Sequence, residues 1–306
     1  MADNEPKRHH YVPQFYLRRF ACADDANKVN VLERHGDVLV ADRKSIGSIG
    51  YEGGLHDFVE DGIAGSIEGE INKVIETPFA ASRTWKKIEN GDCASLVASD
   101  SLPIYGFARH LQRRNLATLR FIETENARFV AGELTECTAE ERAMHERLAA
   151  TPGGIHHLFR EAVLDTMPPE DADAINIMVC QSRIVLRTST NPAVVISASG
   201  RKSVFGEMFN SLRTWWLTLD RHWGAFVIAG GPAGFTCNMF PEDAARVINR
   251  QYLTQMLHGD ARYLLADDPF LESDLEWAGF KFESRSTHGF RYHTNKCKYP
   301  SPETVG

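Results

Sequence analysis

The chain should fold as an α+β protein, and three features of its pattern say so. Over about 57–181 apolar residues recur at helical spacing. After about 182 the texture changes to short β-branched and aromatic runs bounded by turn residues. Two further runs of that kind, 29–32 and 38–40, flank His35-Gly36-Asp37 near the start. Together they predict central helices packed on a mainly antiparallel sheet, formed late in the chain and joined by an early hairpin. The expected layout is a flexible tail over 1–8, one domain over 9–293 and a loose tail over 294–306. Within the domain the middle (57–181) is helical and the later part (183–266) is rich in strands.

Each element has a local reason. Val12 precedes a proline and is pushed toward extended backbone, whereas Pro13 suits a first helical turn. A helix should therefore start at Pro13, burying Tyr16, Leu17 and Phe20 and pointing Arg18 and Arg19 elsewhere. His9 and His10 sit just ahead of that helix, where its dipole favours a neutral imidazole able to act as a base or a metal ligand. The alternative is that His10 bonds a backbone group and locks the arm onto the core. The glycine-rich stretch 47–54 is not a phosphate loop, because no Gly-Lys-Ser/Thr follows.

Val59, Ile63, Ile67, Ile71 and Val74 predict a helix over about 58–75. Glu60, Glu68 and Glu70 lie off its apolar stripe or at the margin. They form either a solvated face or, for Glu60 and Glu68, two carboxylates two turns apart that suit a divalent metal or acid–base work. Pro103 opens a longer helix, expected to reach about residue 134, with Ile104, Phe107, Ala108, Leu111, Leu119, Ile122 and Phe129 inward. Arg109, His110, Arg113, Arg114 and Arg120 make a basic strip on it. Arginine forks there can hold an anion or pair with neighbouring acids.

Helices are predicted over about 138–151, 154–166 and 171–180. Strands follow over 184–186, 193–196, 215–219 and 225–228, with Ser189-Thr190-Asn191-Pro192 as a tight turn between the first two. Gly230-Gly231-Pro232 with Gly234 is another turn. An amphipathic helix over 241–257 and a closing strand over 263–265 complete the pattern.

With 43% hydrophobic and 25% charged residues, the 306-residue chain has the composition of an ordinary soluble globular protein. A net charge of −7 argues against sequence-independent nucleic-acid binding by the whole surface and leaves room for a local basic patch. Six scattered cysteines without a C-x-x-C pair suggest free thiols in a reducing cytosol, so the expected location is cytoplasmic. No apolar run approaches the roughly 20 residues of a membrane span.

The stretch His9-His10-Tyr11-Val12-Pro13, followed by Tyr16-Leu17-Arg18 and Phe20, resembles the opening signature of a bacterial and fungal domain of unknown function, family 4238. Glu60 and Glu68 resemble that family's paired acidic positions. Arg113 resembles a position in its Gln/Arg helix, and Asn249 fits a further asparagine. Ser189-Thr190-Asn191-Pro192 resembles its Ser-Asp-Asn-Pro turn. Thr190 stands where the family usually has Asp, and Asn115 where it tends to have Pro. The resemblance implies fold boundaries and carries no established activity. His9 to Pro13 also resembles the first strand of the His-Asn-His nuclease finger, but the match ends there: Asn30 falls in a predicted strand and His35 in its hairpin turn.

Three function classes follow. The first is a metal-dependent nuclease or other phosphodiester hydrolase. In it His10 is base or ligand, Glu68 the metal carboxylate, and Arg113 the anion holder, with a divalent metal ion on His10 and Glu68. His9, Arg18, Arg109 and Asn191 would bind the ligand. The second is a non-catalytic protein recognising a small anionic ligand or peptide through Arg18, Arg19 and Arg113. In the third, the signature only nails the arm to the core. Gly-x-Ser-x-Gly and partnered-cysteine nucleophile motifs are absent.

Overall fold

The computed structural model describes residues 8–60, 63–133, 138–151, 154–164, 175–197, 213–229, 232–286 and 289–294. β1 (Arg8–His10) leads through Pro13, the extended cap at φ −60° and ψ 135°, into α1 (Gln14–Leu17) and one 3₁₀ turn ending at Phe20. β2 (Lys28–His35) and β3 (Val38–Ser45) form the expected hairpin, turning at Gly36 with φ 59°. β4 (Tyr51–Gly53) then returns to pair antiparallel with β1, placing His10 opposite Tyr51.

The helix expected over 58–75 begins ten residues later. β5 (Asp57–Glu60) and β6 (Ile63–Ser66) form a hairpin instead, pairing Glu60 with Ile63. The intervening Asp61-Gly62 is a dipeptide whose chemistry favours two-residue hairpins, and it outweighs the helical spacing of the flanking apolar residues. α2 (Glu68–Ile71) runs through a wide π turn, Asn72–Glu76, into α3 (Thr77–Ala81). Pro78 has no N–H to close an α-helical bond in that turn. The wider turn changes the buried phase, so Ile67, Ile71, Ile75 and Phe79 continue the stripe while Val74 is 52% exposed. α4 (Arg83–Glu89) follows, capped by Ser82.

The long middle helix is two. α5 (Ser101–Arg113) stops and α6 (Leu116–Val130) restarts at Asn115, an extended N-cap whose side chain accepts from the Thr118 N–H at 2.9 Å. α7 (Ala139–Ala150) and α8 (Gly154–Leu164) agree with expectation. The helix expected over 171–180 does not: 171–174 lie outside the described residues, and β7 (Ile175–Ser182) alternates Ile175, Ile177 and Val179 into the core with period two. Residues 184–186 form no strand. Their backbone bonds go elsewhere, Leu186 N–H to the Arg221 carbonyl and the Val185 carbonyl to the Asn249 amide.

The remainder is β8 (Thr188–Ser189), β9 (Ala193–Ser197), β10 (Arg213–Thr218), β11 (Trp223–Ala229), β12 (Gly234–Phe240), α9 (Glu242–His258), β13 (Tyr263–Leu265), α10 (Leu271–Ala278), β14 (Lys281–Ser286) and β15 (Gly289–His293). One sheet runs β14-β15-β3-β2-β13-β8, antiparallel throughout, and joins the early hairpin to the end of the chain. The other runs β12-β7-β11-β10-β9, with only β12 and β7 parallel. The architecture is thus α+β with mostly antiparallel sheets. No helix among the described residues is long and apolar enough to cross a membrane.

The arm spans both sheets. The buried Tyr16 hydroxyl donates to the Thr218 carbonyl at the end of β10 and lies 2.8 Å from Thr188 Oγ1 on β8. Arg221 donates to the carbonyls of Phe20 and Ala21 at 3.2 and 2.9 Å. Tyr11, Val12, Tyr16, Leu17 and Phe20 of the arm are therefore part of the core, in one cluster with Phe79, Trp85 and Phe107. Arg8 pairs with Gly53 and Thr294 is buried; the rest of the two expected tails lies outside the described residues.

Candidate functional site

Where β1, the β5–β6 hairpin, the π turn and the end of α5 converge, the interior is polar. Arg114, fully buried, is the hub. Its guanidinium donates to Glu68 Oε2 at 3.1 Å and Oε1 at 3.4 Å, to Glu76 Oε1 and to the His10 carbonyl. It also approaches His110 Nε2 at 3.4 Å. Two carboxylates around one guanidinium leave the cluster a surplus of negative charge that histidine N–H groups can share. Burial pulls the Arg114 pKa down to about 10, with Glu68 opposing the shift. Arg114 stays charged at neutral pH.

Glu68 opens α2, where the helix dipole and its own N–H bond to Ser66 Oγ hold it. Despite desolvation its carboxyl titrates below the usual range, because His56 donates to it and Arg114 lies beside it. His56 Nδ1 lies 2.5 Å from Glu68 Oε2. An ionised carboxylate only accepts, so Nδ1 carries the proton and Nε2 presents its lone pair. Nothing among the described residues bonds that Nε2, although it is buried. Desolvation brings the His56 pKa down to about 4, partly offset by Glu68, so the ring is neutral at pH 7.

His9 stacks on His56 with centroids 5.3 Å apart and planes at 7°. Its Nδ1 accepts the His56 backbone N–H at 3.0 Å, so Nε2 bears its proton, facing Ser66 Oγ and Asp57 Oδ1, each at 3.5 Å. Asp57 is exposed and marks the solvent side of the cluster. On the far side Phe159 of α8 stacks on His56 at 6.3 Å. His110, one turn before Arg114, is held neutral by burial with a pKa near 4.

The expected site residues divide accordingly. Glu68 and the His10 backbone meet at Arg114, and His9 stacks beside them. The His10 ring is half-buried, packed on Tyr51 and 3.2 Å from the Gln14 amide. Arg113 points to the Ala162 carbonyl at 3.4 Å and Arg109 to the Tyr105 hydroxyl at 2.7 Å. Arg18 is exposed. Asn191 donates to the Asp260 carbonyl at 3.4 Å, in a turn where Thr190 Oγ1 accepts the N–H groups of Arg262 and Tyr263. Glu60 lies in β5, and its side chain is outside the described residues. His56, Glu76, His110 and Arg114 complete the cluster; the sequence pattern put His110 and Arg114 in the basic strip and none of the four among the expected site residues. One signal was available: at about 100° per residue, Arg114 falls roughly 70° from the middle of the stripe made by Ile104, Phe107, Ala108 and Leu111, and Arg113 roughly 170°.

Among the described residues no three His, Cys, Asp or Glu side chains are grouped to hold a metal ion. Both Glu68 oxygens already face protein donors. Cys22, Cys93 and Cys180 are buried free thiols and Cys237 an exposed one.

The model of a family described as "Protein of unknown function (DUF4238)" matches residues 8–199, from the arm through β9. No curated protein and no solved structure matches.

Proposed function

The chain belongs to this family of proteins of unknown function, and we propose that its His56–Glu68 pair is the acid–base centre of a hydrolase. One observation carries the reading: a neutral imidazole is fixed by a carboxylate 2.5 Å from Nδ1 while its buried Nε2 has no partner among the described residues. A carboxylate on one ring nitrogen orients the imidazole and stabilises the cation that forms when the other takes a proton. Arg114 beside Glu68 favours its ionised form, and the His9 Nε2–H faces Ser66 Oγ and Asp57 on the solvent side of the cluster. In the proposed step Nε2 removes a proton from water and returns it to the leaving group. Phosphodiesters are the substrate class to test first, on the likeness of His9 to Pro13 to the nuclease finger's opening strand. A divalent ion on His10 and Glu68 is a companion proposal, which the Glu68 bonding makes the weaker form.

The test is hydrolysis of bis(4-nitrophenyl) phosphate and of single-stranded RNA and DNA, each with magnesium, with manganese and with chelator. The native protein should turn over at least one of them. His56→Gln should lose about 10²-fold or more while still folded by circular dichroism. Retained activity in the metal-free arm would dismiss the ion. No turnover by the native protein, or full turnover by His56→Gln, would overturn the reading. A second reading has its own observation, the fully buried side chains of His56 and Arg114: the cluster clamps the arm and does no chemistry. Under it the substitutions lower stability and the native protein is inert.

A further inference from the structure

Outside the polar cluster, on the strand-rich half, a cleft of about 830 Å³ lies between the β3–β15 face and the start of α10. That volume suits a small organic ligand. We infer that it binds an organic cation with an apolar body, such as an aromatic or alkyl ammonium compound.

Charge bookkeeping around the cleft decides the sign. Three of its charged groups are already neutralised within the chain. Asp268 holds Arg187 with both oxygens at 2.5 and 2.8 Å, Asp267 holds Arg221 at 2.5 Å, and Arg43 is held by Asp24 at 2.6 and 2.9 Å. Asp42 and Glu272 remain. Asp42 accepts only the backbone N–H of Arg43, at 2.7 Å, and neither carboxylate forms an ion pair among the described residues. Among the described residues the walls thus carry two negative charges without an ion-pair partner, facing a space that can hold a ligand, which a cation would relieve.

The rest of the wall is aromatic. Phe282 and Phe290 are 54% and 43% exposed, with centroids 6.2 Å apart, and Tyr292 meets Phe282 edge-on at 6.0 Å. Exposed rings beside unpaired carboxylates are the surroundings in which an ammonium group is held by both charge and ring quadrupole. The Arg285 guanidinium lies 5.5 Å from the Phe290 ring, so an incoming ammonium competes with it there and has Phe282 and Tyr292 as the rings left open to it. The backbone is shaped for the cleft as well. Gly289 has φ +115°, and a Cβ there would lie 1.7 Å from the Ala41 carbonyl oxygen. The start of β15 can approach β3 this closely only as glycine.

The probe is benzyltrimethylammonium, titrated into the full chain while the amide shifts of Leu271, Gly289 and Phe290 are followed. Phenylmethanesulfonate carries the same ring with the opposite charge, and benzyl alcohol carries none. The cation should saturate below about 10 mM. Asp42→Asn with Glu272→Gln, and separately Phe282→Ala, should each weaken it by about tenfold at unchanged melting temperature. The anion and the alcohol should bind at least about tenfold more weakly. Four outcomes would overturn the inference: no saturation with the cation, equal response to the anion, affinity indifferent to the two carboxylates, or a sedimenting dimer that buries Phe282 and Phe290. If a variant loses stability, the comparison of cation with anion on the native chain still decides.

Discussion

Arg114 carries its charge into the interior with no exposed surface, and its four acceptors include a main-chain carbonyl of the arm. Such a group is costly to bury and more costly to remove, because its partners are left as unpaired buried charges. Arg114→Met should therefore lower stability by about 3–5 kcal/mol in urea unfolding. Arg113→Met, its neighbour on the other face of α5, should cost no more than about 1 kcal/mol. Equal losses would show that the ion cluster is not what holds this corner. At this scale the sequence marked the arm well, since His9, His10 and Pro13 are distinctive where they stand. It placed Arg114 in the basic strip, with pairing to neighbouring acids as one of two readings, and only its angle to the apolar stripe set it apart from Arg113. His56 carries no local signal, because the hairpin that delivers it to Glu68 was hidden under residues at helical spacing.

The strand-rich half depends on close packing between neighbouring strands. Trp216 on β10 is fully buried, T-shaped to Phe226 at 4.8 Å and stacked on Phe240 at 5.0 Å, and its indole donates to Thr218. Gly224 on β11 makes room for it: a Cβ there would fall 2.1 Å from the indole ring. Gly224→Ala should destabilise the protein by about 1–3 kcal/mol, with a lowered denaturant midpoint and altered Trp216 fluorescence. An unchanged midpoint would mean that the indole has space to retreat. Elements of this kind were partly legible. The runs at 193–196, 215–219 and 225–228 announced themselves by β-branched and aromatic content, and the early hairpin by its Gly36 turn. β7 contradicts the helix expected there because Ile175, Ile177, Met178, Val179 and Cys180 make a short, nearly continuous apolar run that fixes neither the helical nor the strand period. β12 was not expected for another reason: Phe235, Cys237 and Met239 alternate with Thr236 and Asn238 at the strand period, but the run is short and lacks β-branched aliphatics, and its parallel pairing with β7 depends on tertiary contact rather than on local pattern.

Across the whole molecule, the arm joins two sheets and a helical layer, so events at the polar cluster should register in global stability. His56 and His110 both titrate near pH 4 in the folded chain, against an ordinary value of 6.5. A depressed histidine pKa means that protons bind the unfolded chain first. The stability is therefore complete above about pH 6.5 and is lost as the pH falls toward 4, by up to about 3 kcal/mol for each ring. Glu68, whose carboxyl is also lowered, extends the loss into more acid solution. Urea midpoints at pH 7.5 and 4.5 should differ accordingly, and a flat profile would contradict the buried, neutral state of both rings. The family match covers the arm, the polar cluster and β7 to β9 and ends before β10, which places the proposed centre inside the shared part and the aromatic cleft largely outside it.

The central claim is the protonation pattern of one ring, and nitrogen-15 NMR of the histidine side chains reads it directly. His56 should show a protonated Nδ1 and an unprotonated Nε2 at pH 7, and should hold that neutral form until the pH approaches 4. A proton on Nε2 at neutral pH, or titration of the ring near 6.5, would contradict the acid–base centre built on it.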